Sequence, residues 1–449
     1  MTARRWIAAV LAIVLAAGLG ITILKHKAKR HKLEFNKQIA PIVYAKCAKC
    51  HYPGSAAPFA LTSYREIRNH ARAIGRALDR GLMPPWKPER GFGEFLGDNS
   101  LTDQEKGMIK QWLAEGCREG NPSKRPVPPK PPPQWPLGPP DDILKMNESY
   151  KISAGGNDIY RCFVIPTNYP EDRWVRGADV VPGDPKVVHH MFLFVDTSGG
   201  GRARDGADGS PGFTAFGGLG FPTVGQLGLW APGVVPHPLP DGTGYFLPKG
   251  ADIILQVHYH PIGKEETDLS RVGLYFCKQP VDKRVRCMPI AVPRKVLRIP
   301  AGESNCVFWA EQKMPDNITV LQVIPHMHLV GRAIEAGATL PDQTFVPIVR
   351  ITDWDSRWQN FYTLKPQLRL PAGSRVRLEA RYDNSSSNPR NPNNPPADVK
   401  FGVHAVDEMC IVYLLYTVDS EKLTQGKLAR NCPDTFLNLE WGKPLAGRK

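Results

Sequence analysis

Histidine is scarce in this chain, twelve among 449 residues, and no tandem repeat of fixed period runs through it. The lack of a repeat excludes arrays built by stacking one unit on the next. Nowhere do Lys and Arg interleave with aromatic residues as a nucleic-acid groove requires. The formal charge of +15 and the sequence pI near 9.4 therefore point to an anionic membrane surface and away from nucleic acid. No small-x-small cleavage site follows the first apolar run, residues 6–24, which comes after Arg4 and Arg5 and is long enough to span a bilayer.

What is present is a chain long enough for two to four domains. Hydrophobic residues make up 42% and aromatics 9%, enough to build cores, while 41 Gly and 44 Pro exceed what a helical protein carries. Residues 33–121 read as helical, with apolar residues at helical spacing over 64–82 and 103–116 and Asp103 as an N-cap. Between residues 121 and 140 about every second residue is proline, which favours an extended, semi-rigid spacer, taken as 122–141. Beyond Asp141 come short strand-like runs, such as 187–194, 253–258, 318–324 and 410–418, broken by Gly, Pro, Asn and Asp. The expected fold is multidomain: a small all-α domain followed by two all-β, jelly-roll-like sandwiches at 142–295 and 296–440, with a tail at 441–449.

Cys47-Ala-Lys-Cys50-His51 has the spacing by which two thiols add to haem vinyl groups while the adjacent histidine ligates the iron. Met83, in Leu82-Met83-Pro84-Pro85-Trp86, is the candidate second axial ligand. A bare Cys-x-x-Cys also fits a zinc half-site or a redox disulfide, and Met83 also fits simple packing. With Ala57-Pro58-Phe59 and the stretch 112–122, the segment resembles small single-haem cytochrome c domains, which implies one covalently attached haem c. Haem attachment and disulfides belong to an exported, oxidising compartment. We therefore expect residues 1–32 to form a signal anchor and basic stretch that holds the protein on the periplasmic side of a bacterial inner membrane, although the basic run 25–32 on the far side runs against the positive-inside rule. The alternative is a cleaved signal peptide and a soluble secreted product.

Six of the twelve histidines fall in three tight pairs: His189-His190, His258-Tyr259-His260 and His326-Met327-His328. Imidazole suits several transition metals, so the pairs imply a metal without choosing it. Residues i and i+2 share one face of a strand, so His326 and His328 can meet one ion, as can His258 and His260. Adjacent His189 and His190 would point to opposite faces unless a bulge or a strand end intervenes.

Val188-His189-His190-Met191, Leu255-Gln256-Val257-His258-Tyr259, His326-Met327-His328-Leu329 and Asp407-Glu408-Met409-Cys410 together resemble the ordered signatures of the copper type II, ascorbate-dependent monooxygenases, the family of peptidylglycine hydroxylating and dopamine β-monooxygenases. The resemblance spans roughly residues 150–440 and implies two β-sandwiches, each carrying one copper across a cleft. It implies that His189, His190 and His258 hold an electron-transfer copper. His326, His328 and Met409 would hold the copper where O2 and substrate meet, with Tyr413 matching the family's tyrosine. His260 is left as an additional ligand or a neighbour of the ligands, and His237 and His404 as structural residues. By the same resemblance Cys306 and Cys432 form a disulfide, whose closing of so long a loop contributes about 4 to 5 kcal/mol in the entropy model. The family's partner for Cys410 is missing, with Tyr382 in its place, which leaves Cys410 a buried thiol. Cys277 and Cys287 could face each other across a hairpin near Asp282.

The resemblance thus implies C–H hydroxylation of a small substrate with O2, with electrons from ascorbate, another redox donor or the attached haem. Where peptide-amidating relatives carry an arginine for the substrate carboxylate this chain has Ile324, and Ile411 replaces an asparagine, so the substrate is expected to be rather apolar. Two other classes keep the same residues: a non-catalytic haem and copper protein for electron transfer or copper holding, and a double sandwich that binds carbohydrate or matrix.

Overall fold

The computed structural model describes residues 32–215, 218–402, 404, 406–429 and 445–448. Among them no helix is long and apolar enough to cross a membrane. The expected anchor at 6–24 lies outside the described residues, as does Cys432. The chain divides into two units, one made from Met1–Ala48, Leu61–Leu82 and Leu101–Pro129 and the other from Lys49–Ala60, Met83–Ser100 and Lys130–Lys449.

The first unit is helical, with helices Ala40–Lys46, Tyr64–Asn69, Ala71–Asp79 and Asp103–Ala114. Thr102, not Asp103, caps the last: its hydroxyl accepts from Glu105 N while the Glu105 carboxylate accepts from Thr102 N, a reciprocal box that a lone Asp103 could not form. The apolar period over 64–82 is likewise broken, because His70 ends one helix and starts the next at φ −101°, ψ 12°. Phe35 and Trp112, both fully buried, pack with ring centres 5.9 Å apart in the core, and Trp112 Nε1 donates to Arg118 O.

The second unit is mostly β. A sheet in the order Phe213–Thr214, Ile159–Pro166, Asp252–Tyr259, Val188–Asp196, Gly225–Trp230 packs on a second five-stranded sheet that includes Arg173–Val181 and Arg271–Phe276. Leu193, Val195, Leu255 and Val257 from the first meet Val175, Val180, Val272 and Leu274 from the second in one core. The next sandwich pairs the sheet Arg286–Ala291, Ile411–Val418, Ile318–His326, Tyr362–Leu370 with the sheet of Phe345–Ile351, Gly331–Thr339, Arg375–Tyr382, Cys306–Lys313 and Leu445–Arg448. Its core joins Val320, Val412 and Leu414 to Phe308, Ala336 and Leu378. The strand Arg286–Ala291 already lies in the second sandwich, so the chain passes between sandwiches ahead of residue 292.

That crossing removes the expected hairpin between Cys277 and Cys287. Cys277 follows Arg271–Phe276 in the first sandwich and is a free thiol near Thr243 O, whereas Cys287 lies in a strand paired with Ile411–Val418 in the second.

Two segments flanking the helices belong to the β unit. Residues 83–100 lie on the second sandwich, where Phe95 bridges Leu364, Leu96 N donates to Thr363 O, and Trp86 packs on Tyr362 at 5.4 Å. The end of the proline-rich stretch is not a free spacer either. Trp135, Leu137 and Pro140 cross the outer face of the sheet containing Arg271–Phe276, and Tyr275 OH donates to Gly138 O. Glycine is needed below them, since a Cβ on Gly273 would stand 2.6 Å from Pro140 and 2.7 Å from Trp135.

Candidate metal centres

Strand alternation sets the first cluster. In Val188–Asp196 the residues Met191, Leu193 and Val195 enter the core, so His190, Phe192 and Phe194 take the outer face. The ladder with Asp252–Tyr259 pairs Val188 with Tyr259 and His190 with His258, so His189 is the extra residue of a bulge. That bulge meets the condition for two adjacent histidines to serve one site. His189 Nδ1 lies 3.0 Å from His190 Nδ1, which lies 3.4 Å from His258 Nδ1, and the three ligand atoms fall within 4.8 Å of one another. Three nitrogens bound to one ion at about 2.0–2.1 Å, with angles near 90–110°, stand about 2.8–3.4 Å apart, so the cluster has the dimensions of a metal cradle.

The ring chemistry agrees. His258 Nε2 donates to Asp158 at 2.7 Å, which makes Nδ1 the nitrogen with the lone pair. Burial, then the neighbouring His258, pulls His189 down to about 4, and burial holds His190 well below the ordinary histidine range, so both are neutral bases near pH 7. The hydrogen bond from His258 holds Asp158 down to about 2. Tyr160 stacks on His258 at 4.1 Å and 13°. His260 does not join the three: the strand has ended at Tyr259, and His260 Nδ1 bonds the other oxygen of Asp158 at 2.8 Å.

The second cluster sits where Ile318–His326 runs antiparallel to Ile411–Val418, with Ile324 paired to Tyr413 and His326 to Ile411. Met409 lies two residues before Ile411, beyond the paired ends of both strands. Met409 is buried in a small cluster with Ala291 and Ile411, against Tyr413 and Phe401. The rings of His326 and His328 stand 5.1 Å apart at 85°. His326 Nδ1 bonds Gln359 Oε1, and His328 Nδ1 donates to Asp407 O at 3.0 Å, with a further backbone hydrogen bond between His328 and His404. Burial, reinforced by His326, pulls His328 down to about 3.

Glu408, fully buried, ties the ligand segments together by accepting from His328 N, Val330 N and Met409 N at 2.8–3.1 Å; burial pushes it up to about 8 against those bonds. Tyr382 OH donates to Met409 O at 2.7 Å, and its neighbour Cys410 is a buried thiol that burial pushes up to about 12. His404 is exposed in the turn that ends at Asp407, and His237 is half-buried.

Both clusters open on one cavity of about 110 Å³ between the sandwiches. His190, Tyr160 and Phe192 line it from one side and Ile324, His326 and Tyr413 from the other; among the described residues no Asp, Glu, Lys or Arg lines it. Asp158 and Gln359 escape a reading of the sequence, because they reach their histidines across 100 and 33 residues and carry no motif of their own.

Of the haem candidates, Cys47 closes the helix Ala40–Lys46 in the first unit, while Cys50, His51 and Met83 fall in the second. His51 Nδ1 bonds Phe59 O at 2.9 Å.

With this geometry in place, residues 293–436 match the family model described as copper type II ascorbate-dependent monooxygenase, C-terminal domain. The matched stretch contains His326, His328 and Met409 and most of the second sandwich. It supports copper as the metal and an oxidoreductase of the monooxygenase class.

Proposed function

We propose that this chain is a two-copper monooxygenase that converts a C–H bond of a small, rather apolar substrate to C–OH, and that His189, His190 and His258 hold one copper while His326, His328 and Met409 hold the other. The observation that carries the reading is the pair of histidine clusters facing one cavity. Copper supplies one-electron redox chemistry and a place for O2. The overall balance is R–H, O2, two electrons and two protons giving R–OH and water.

The chain's own groups divide the work. Three imidazoles accommodate both copper oxidation states and suit electron relay, whereas a thioether beside two imidazoles favours Cu(I). Asp158 holds His258 in the tautomer that offers Nδ1, and on the other side Gln359 and Asp407 O orient the rings of His326 and His328 through Nδ1. Tyr413 and Ile324 shape the wall beside the second cluster, and the aromatic floor of Phe192 and Phe194 excludes water from the substrate.

Electrons come from ascorbate or another redox donor, or through a haem c held by Cys47, Cys50, His51 and Met83; residues 33–121 then form a cytochrome c domain exported with the rest and held at the membrane by residues 6–24. Covalent haem attachment explains why a Cys-x-x-Cys-His motif precedes a copper protein at all.

The test is metal and haem analysis of protein matured in a periplasm, followed by anaerobic reduction and exposure to O2 with candidate substrates, read by mass spectrometry. Two coppers per chain and one ¹⁸O atom from ¹⁸O2 in the product are expected. O2 consumption that yields only peroxide across the substrate panel would replace this reading with a non-catalytic electron-transfer protein.

A further inference from the structure

The floor of the cavity alternates aromatic rings with carboxamides. In the ladder between Val188–Asp196 and Asp252–Tyr259, Phe192 pairs with Gln256, and on the other side Phe194 pairs with Gln226. All four line the cavity, and the two glutamines are 7% and 4% exposed. Such amides belong in a protein interior only when their hydrogen bonds are met, because an unmet buried acceptor costs about 1–3 kcal/mol.

Here they are half met. Gln256 Nε2 donates to Ala215 O at 3.1 Å and approaches Cys162 Sγ, which fixes the orientation of the amide, and Oε1 accepts nothing among the described residues. Gln226 Oε1 is fully buried and has no partner among the described residues. Of the two, Gln256 Oε1 is the acceptor not closed off by burial, and the histidines of the second cluster are on the opposite wall. Among the described residues no charged side chain lines the space to pair with a carboxylate or an ammonium group. Its volume is of the order of the roughly 150 Å³ that accepts benzene in an engineered core and the space is partly open, so one ring fills it and a short substituent can extend from it.

We propose that Gln256 Oε1 is a specificity-determining acceptor, and that the substrate is an uncharged, ring-sized molecule whose hydroxyl or N–H donor bonds it while the opposite end meets the second cluster. This rests on the reading of the cavity as the substrate site of an oxygenase. It adds that charged molecules of the same size are excluded, and that the donor sets the orientation.

Three probes of equal size separate these effects: benzyl alcohol, ethylbenzene and benzylammonium. Their binding is measured at pH 7 on the full chain, copper-loaded and oxidised, without reductant, so that no turnover occurs. Benzyl alcohol is expected to bind at least about tenfold more tightly than benzylammonium. Gln256→Met is expected to weaken benzyl alcohol about tenfold and leave ethylbenzene within about twofold, and Gln256→Leu to do the same. Unchanged ethylbenzene affinity certifies that each variant is folded. Equal binding of benzylammonium and benzyl alcohol to the unaltered chain overturns the proposal with no variant needed, and so does unchanged benzyl alcohol affinity in a variant that still binds ethylbenzene. If this binding pattern holds but no substrate is ever hydroxylated, the oxygenase reading falls and the recognition by Gln256 stands; if hydroxylation occurs and the pattern fails, the reverse is true.

Discussion

Asp158 offers the sharpest test of the first cluster, because it touches two histidines and no cavity. One oxygen accepts from His258 Nε2 at 2.7 Å and the other bonds His260 Nδ1 at 2.8 Å. A charge-assisted bond of this kind contributes about 1.5–3 kcal/mol, and since the Asp158 side chain is 43% exposed, screening lowers that to about 1–2 kcal/mol. Asp158→Asn keeps the shape and removes the charge, so copper affinity at the first site should fall about tenfold. Asp158→Ala also releases the tautomer of His258 and should fall further, toward about a hundredfold. The assay is chelator competition monitored by electron paramagnetic resonance, with the copper at the second cluster as internal reference. Unchanged first-site affinity in Asp158→Ala, or equal losses at both sites, would refute the reasoning.

The same cluster makes a statement about pH. The Asp158 carboxylate, held down to about 2, contributes its interaction above the ordinary carboxylate range and loses it only as pH falls through about 2, so it stays charged across the neutral and mildly acidic range. His189, pulled down to about 4, competes with a proton only near that pH. Proton competition from His189 should therefore appear only near pH 4, read as a loss of first-site copper affinity there in the same chelator competition.

Met409→Leu conserves volume and should cost less than about 1.5 kcal/mol of stability, yet copper per chain should fall toward one and sulfur scattering at copper should vanish in X-ray absorption; retention of both would remove Met409 from the ligand set. Asp179 is buried opposite Gly273, beneath Trp135 and Pro140, and burial pushes it up to about 6 with Oδ2 unpartnered. Its neutral form therefore stabilises the fold below about pH 4, and that contribution is lost as pH rises through about 6. Asp179→Asn should flatten the urea-measured fall in stability between pH 4 and 7 by roughly 3 kcal/mol, and an unaltered slope would contradict the assignment. Gly273→Val should drive Trp135 and Pro140 off the sheet at about 1–3 kcal/mol, seen as new chymotrypsin cleavage after Leu137; an unchanged digest would show that the chain there is not docked.

Much of the site was legible because its signals are local. The His-x-His spacing of His326 and His328, the Asp407-Glu408-Met409-Cys410 run and the adjacent His189 and His190 can be seen within a few residues, and alternation turns each into a statement about one face. The bulge at His189 is different: nothing nearby demands it, and it exists because Val188 and His190 are held in register by a strand some 70 residues away. Asp158 and Gln359 are invisible for the same reason. Helix punctuation fell just beyond the reach of periodicity, since Thr102 and Asp103 are both good caps and only the reciprocal bond with Glu105 decides between them. The expected hairpin at Asp282 failed because a symmetrical spacing of cysteines carries no information about which sheet each strand joins.

The two clusters share a cavity for a reason rooted in strand parity. In each sandwich the inward residues are bound into a core, which leaves the outward positions of the same strands free to vary without loss of the fold. His190, Phe192 and Phe194 follow one another at every second position on one strand, as Ile324, His326 and His328 do at the end of another. Candidate metal ligands and cavity-facing residues thus follow one another along rigid strands, with the core behind them. A change at Ile324, Tyr413 or Gln256 can alter which molecule fits while the histidines keep their places, and the carboxamide beside Phe192 is the position where that freedom has been used for a polar group.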